Sequence, residues 1–306
     1  MSYNITVQFK PVHEFMNSLH TFICRKSHKK IELSPSWVKQ TNSMLTTEYR
    51  SFIHEWQMDD EWKYAYLLLE LEDINTAEDY INFLENTSDK ALLDLFVYLC
   101  RRWDYEVPEF EMALFRVRYK QLLYGWNEQY FKQMNPDIMN ALQAEYANRL
   151  VAKEQKSADS FLDETTRGLM FGKTEGLVQI VLIPQYHFQP LNIFWQYGNT
   201  IVCHYAARIY LGDDSVIPPQ DLRVIRSLGE KNRLKILKFL HQGPRSFIEI
   251  VRHLELSKGI THDHISKLRS AGLLYAHFDG ENLVEYSIRS QALRQVETNL
   301  INYIEG

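Results

Sequence analysis

The side chains best suited to chemistry gather in one short stretch. "LSKGITHDHISKLRSAGLL", Leu256 to Leu274, sets lysine, arginine, histidine, threonine and serine at helical spacing and closes on Gly272. Between Lys231 and Arg269 there are 9 basic and 3 acidic residues, in a chain whose net charge is −5. A polyanion requires such a concentration, because Lys and Arg neutralise phosphates and release counterions. From Pro219 onward 13 Lys and Arg stand against 10 Asp and Glu, whereas residues 1–218 hold 21 against 29. The two parts differ in sign, so a local basic surface is expected rather than non-specific binding over the whole molecule.

Other chemistries fail on spacing. His20, Cys24 and His28 form a helical ligand row at i, i+4 and i+8, but no fourth ligand accompanies them, and a buried thiol beside exposed histidines is the simpler reading. His262 and His264 are two apart and point in different directions. "FGKTEG" looks like the end of a phosphate loop, yet Arg167 occupies the place of the first glycine and no strand precedes it. There is no nucleophile elbow, dinucleotide fingerprint or supported carboxylate pair, so neither a cofactor nor enzymatic activity is expected. Cys24, Cys100 and Cys203 are odd in number and far apart, which fits reduced thiols. With no apolar run of eighteen residues and no charged leader, a cytoplasmic protein without membrane association is expected.

The elements that must position the basic stretch divide into two domains, 1–215 and 219–306, joined by "LGDDSVIPPQ". All six Trp and 34 of 40 aromatic residues precede Pro219, which implies two separate cores. "ITVQF" alternates as a strand. Helices are expected over Val12–Ser27, Ser36–Met44, Thr46–Glu55, Thr76–Asn86, Asp89–Trp103, Pro108–Met134 and onward from Pro136. The β-branched, aromatic stretch near 176–210, broken by Pro184, Pro190 and Gly198-Asn199, reads as an antiparallel meander.

In the tail, Asp221–Leu228 forms one helix and "NRLKILKFLHQG" a second, with Leu234, Leu237 and Leu240 facing inward. Ser246 caps "FIEIVRHLEL", and a third amphipathic helix follows with Ile260, Ile265 and Leu268 inside. This is a helix-turn-helix pattern. Leu274/Ala276/Phe278 and Val284/Tyr286/Ile288 alternate about Gly280 as a hairpin wing, and Gln291–Tyr303 makes a last helix with an apolar stripe for docking or for a second subunit.

From Leu228 to Leu274 the tail resembles the ArsR-type winged-helix repressors. Arg-Leu-x-Ile-Leu at 233–237, Leu256-Ser257, His264-Ile265-x-x-Leu268-Arg269 and Ala271-Gly272-Leu273 carry the resemblance, which covers the last quarter of the chain. The N-terminal part is similar to an uncharacterised domain that precedes such winged helices in some bacterial regulators. The fold implied is mainly α with small antiparallel sheets: an α-rich sensing or dimerising domain and a winged helix. The resemblance implies duplex DNA as partner, with Thr261, His262, Asp263, His264 and Lys267 on the reading helix and Ser257, Lys258 and Arg269 near the phosphates. Because one reading helix covers only a few base pairs, a homodimer on an inverted repeat is expected, with a small-molecule effector as a candidate for its control. Two departures matter: Asp263 is acidic, and so is the wing tip "DGEN". "SFIEIVRHL" lacks the cysteine pair, and the last helix lacks the histidine, that metal-sensing relatives use, so no metal is expected. An adaptor that no longer binds DNA, or an enzyme in the N-terminal domain, are the competing readings.

Overall fold

A computed structural model describes residues 3–33, 35–212 and 217–305. The chain divides into two compact units, Tyr3–Leu150 with Leu177–Ile209 and Val151–Gly176 with Tyr210–Gly306. Val151–Gly176, which the sequence reading placed with the N-terminal domain, therefore packs with the tail. The linker expected at "LGDDSVIPPQ" has residues 213–216 outside the described set.

In chain order the first unit begins with β1 (Asn4–Val7), α1 (Pro11–Ile23), α2 (Pro35–Met44), α3 (Thr47–Glu55) and α4 (Asp60–Leu67). It continues with α5 (Ala77–Asn86), α6 (Asp89–Arg102), α7 (Met112–Gln129) and α8 (Pro136–Glu154), the last residues of α8, from Val151, being counted with the second unit. Next come α9 (Ala158–Thr166) and β2 (Leu169–Met170) of the second unit, then β3 (Gln179–Gln185), β4 (Ile193–Tyr197) and β5 (Thr200–Ala206) of the first. The second unit resumes with α10 (Pro219–Leu228), α11 (Lys231–Leu240), α12 (Phe247–Leu254), α13 (Lys258–Ser270), β6 (Leu274–Asp279), β7 (Asn282–Ile288) and α14 (Ser290–Glu305).

The first unit is built around α1. Pro11 supplies a φ already suited to a helix start, and Lys10 before it donates Nζ to the carbonyls of Leu69, Leu71 and Ile74 at 3.0, 2.7 and 3.2 Å. Every residue from Val12 to Ile23 is buried. The aromatic core forms around it from Trp62, Trp126, Tyr80, Tyr119, Phe96 and Phe115, all fully enclosed. α4 escapes sequence reading because Trp62 and Tyr64–Leu67 are all buried, so the segment shows no alternation of polar and apolar faces.

The sheet here is mixed, not the antiparallel meander expected. Its order is β1-β3-β5-β4: β3 lies parallel to both β1 and β5, and only β4 runs antiparallel, on the outer side of β5. All of β5 and all but the first residue of β3 are buried, and strands covered on both faces read as continuous apolar runs that conceal their direction.

The second unit is a helical cluster on a three-stranded sheet of order β2-β6-β7. β6 and β7 form the expected hairpin, turning at Gly280 with φ +60. A bridge from Arg245 to Tyr286 ties the start of α12 to β7, with N···O distances of 2.9 and 2.8 Å. β2 pairs parallel with the other side of the hairpin, Leu169 beside Ala276 and Met170 beside His277. This strap is fixed at both ends. Arg289 pairs with Asp163 of α9, its Nε 2.6 Å and Nη2 3.2 Å from the two carboxylate oxygens, and Thr174 Oγ1 accepts the Gly280 amide at 2.9 Å.

Candidate nucleic-acid interface

α12 begins at a capping box in which Ser246 and Glu249 each accept the other's backbone N–H, at 3.4 and 2.8 Å. It ends at Glu255, whose φ of +57 turns the chain into Leu256-Ser257. Ser257 then accepts the amide of Ile260 at 3.3 Å and starts α13. α11, α12 and α13 pack on Ile236, Leu237, Leu240, Ile250, Leu254, Ile265 and Leu268. Leu234, expected inside, is 48 % exposed and Ile260 51 %.

The inner face of α13 is Thr261, Ile265 and Leu268, at i, i+4 and i+7: Ile265 and Leu268 are inside as expected, and Thr261 takes the place expected of Ile260. The structure re-sorts the proposed contact residues. Ser257, Lys258, His262, Asp263 and Lys267 are exposed. Thr261 is fully buried. His264 turns towards the α11 start, with Nδ1 3.4 Å from Glu230 Oε2 and a side chain only 12 % exposed. Arg269 is folded inward, and burial pushes its guanidinium down to about 10 against the opposing influence of Tyr286. Thr261, His264 and Arg269 are therefore not the outward contacts expected of them; the helix phase puts each on the packed side. Gly259 and Ile260, which sequence reasoning did not select, lie on the open side, and a Cβ on Gly259 would meet nothing within 4 Å. Assigning the first inner position correctly needs Thr261 to be recognised as a small core residue.

Lys267 is not a free cation. Its Nζ donates to Asp263 Oδ2 at 2.7 Å along the helix, with both side chains more than half exposed. The rear of α13 is latched to α10, where Ser227 Oγ donates to the Lys267 carbonyl at 3.3 Å and Arg223 Nη1 to the Ser270 carbonyl at 3.4 Å. Much of the positive charge counted in sequence lies elsewhere: Lys231, Lys235 and Lys238 follow one exposed stripe of α11. The hairpin carries Asp279, Glu281 and Glu285, and Glu285 pairs with Lys173 at 2.8 Å. An exposed, capped helix with polar side chains can enter a major groove, whereas an acidic hairpin is repelled by phosphates.

The first unit holds a second set of ionisable groups. Glu14 accepts the backbone N–H of Tyr186 and His187 at 3.1 and 3.0 Å and the His187 Nδ1 proton. His187 Nε2 lies 2.7 Å from the Tyr130 hydroxyl, which accepts from Trp37 Nε1 at 2.8 Å. The hydrogen bonds form a continuous buried chain. The ligand row read from sequence breaks up: His20 Nδ1 accepts from Trp62, Cys24 meets Ser27, and His28 Nε2 faces the carbonyls of Thr21 and Phe22. α1 has already ended at Ile23, so the three residues do not share a helix face. Among the described residues no group of three or more His, Cys, Asp or Glu is arranged to hold a metal ion, and no helix is long and apolar enough to cross a membrane.

Three helices, the Arg245–Tyr286 bridge and the hairpin define a winged helix-turn-helix. Residues 230–276 match the family model described as "Bacterial regulatory protein, arsR family". A 71-residue segment is 35 % identical to a "Probable mercury resistance operon repressor" of Streptomyces lividans, over 23 % of this chain and 56 % of that protein. The chain thus spans about half the length of that curated relative. A solved fragment (1–100) of a "possible transcriptional regulatory protein" from Mycobacterium bovis is 26 % identical, with a TM-score of 0.23, over 27 % of this chain and 88 % of that one.

Proposed function

We propose that this protein is a cytoplasmic DNA-binding transcription regulator, acting as a repressor, that inserts the outer face of α13 into the major groove. The observation that carries the reading is the exposed row Lys258, His262, Asp263 and Lys267 on a helix anchored behind by Thr261, Ile265 and Leu268. The arsR-family match over the same residues and the repressor named among the relatives support it. The winged unit contains no cysteine, so thiolate sensing of mercury is not part of the proposal for that unit. One α13 reads only a few base pairs, so a homodimer on an inverted repeat multiplies specificity. α14 leaves Leu300, Ile301, Tyr303 and Ile304 exposed, which supports such pairing. A ligand of the first unit would control the dimer only through unequal affinity for its DNA-competent and incompetent states.

The test is a salt titration of duplex binding by the full chain, with sedimentation to count subunits. Affinity should fall steeply as salt rises. The absence of DNA binding at low salt would instead favour the adaptor reading, for which the acidic hairpin tip and its tether to Thr174 speak.

A further inference from the structure

We infer that Asp263 and Lys267 work as one reading head for a single G·C base pair, an inference that rests on the DNA-binding reading of α13 above. The two side chains are joined by a 2.7 Å hydrogen bond on the exposed side of the helix, Asp263 57 % and Lys267 54 % exposed. An acid preceding a base by four residues is the favourable order along a helix, so the pair is set by α13 itself. Lys267 has two N–H bonds left to donate, and the Asp263 carboxylate keeps free lone pairs to accept. The unit therefore presents a donor and an acceptor about one hydrogen-bond length apart.

The major-groove edge of a G·C pair shows the complementary pattern. Guanine O6 accepts and cytosine N4 donates, and the two atoms are neighbours because they are hydrogen-bonded to each other. Lys267 over guanine O6 and N7, with Asp263 over cytosine N4, satisfies both groups without separating the ion pair. An A·T pair places the adenine amino donor where Lys267 needs an acceptor and the thymine acceptor where Asp263 needs a donor. The same pairing explains how an acidic residue is tolerated on a surface that meets phosphates: its charge is already matched. It follows that Lys267 contributes sequence discrimination rather than general affinity for DNA.

The experiment is selection of bound duplexes from a random library with the full chain, comparing wild type, Asp263→Ala, Lys267→Ala and the exchange Asp263→Lys with Lys267→Asp. These positions are exposed, so the variants remain folded. The wild-type site should contain one G·C pair per bound α13 that both single variants cease to require, discrimination falling by roughly 5- to 150-fold while the other positions persist. The exchange, which reverses donor and acceptor, should prefer C·G there. If all four proteins select the same site, or if Lys267→Ala weakens binding evenly on every sequence and lowers the salt slope by about one, the paired reading fails while DNA binding stands. If wild type selects no site at all, the reading of α13 as a DNA reader falls first.

Discussion

α1 and α13 are both thirteen-residue helices rich in polar side chains, yet α1 is buried from its second residue to its last and α13 buries only Thr261, Ile265 and Leu268. In α1 most of the polar groups have partners within the same unit, the buried Nε2 of His13 being an exception. Ser18 accepts from Trp126 at 2.9 Å, Asn17 meets His204 at 3.0 Å and Tyr66 at 3.2 Å, and Glu14 holds His187. On the outer face of α13 Asp263 and Lys267 hydrogen-bond each other, and His262 meets the ring edge of Phe247. Burial makes an unpaired polar atom costly, so a core helix must satisfy its polar groups internally, and a helix that does not is available to something outside.

The contrast is sharpest at Glu14. Glu14→Ala strands two backbone N–H groups and a histidine inside the core, and should cost about 3–5 kcal/mol. All six tryptophans lie in the first unit, so chemical unfolding followed by tryptophan fluorescence reads this loss directly; an unchanged midpoint would erase the distinction between the two helices.

Acid should separate the units next. Burial lowers His20 to about 3, and burial followed by the Lys10 charge lowers His13 to about 3, while burial, His13 and His204's other neighbour His20 hold His204 well down. These histidines are neutral in the folded state and take up protons on unfolding. Their stabilisation is complete above the unfolded value of about 6.5 and is lost as pH falls from there towards 3, at up to about 1.4 kcal/mol per pH unit for each. Denaturation at pH 7.5 and 5 should show the tryptophan-reported transition weakening; equal midpoints would refute the burial argument.

Two helical glycines give the smallest and most direct comparison. A Cβ on Gly125 of α7 would lie 2.1 Å from the ring of Tyr49, itself buried, so Gly125→Ala should destabilise by about 1–3 kcal/mol. Gly259 of α13 is open, and Gly259→Ala should stabilise by up to about 1 kcal/mol. Thermal melts of the two variants should move in opposite directions.

The sequence made some of this legible and hid the rest for identifiable reasons. Ser246 as a cap, Gly272 after α13 and Gly280 in the hairpin are local signals, legible because their consequences are local, whereas the cap at Ser257 emerges only from the structure. Ile265 and Leu268 are inside as their spacing implies, but the first inner position belongs to Thr261 and not to Ile260, which as a large apolar residue looks more like a core side chain. Thr261 drops out as a contact residue with that exchange, and His264 and Arg269 because their side chains turn onto the packed side. Sheet order was illegible because β1, β3 and β5 pair across long separations. The two-residue β2 carries no periodicity at all.

That short strand has a practical consequence for anyone cutting the molecule. A fragment starting at Pro219 would retain the reading helix but leave one flank of β6 with unpaired amides and carbonyls, and Arg289 without its carboxylate. Bare strand margins recruit other strands, so the excised tail should self-associate into β-rich aggregates unless residues 151–176 travel with it.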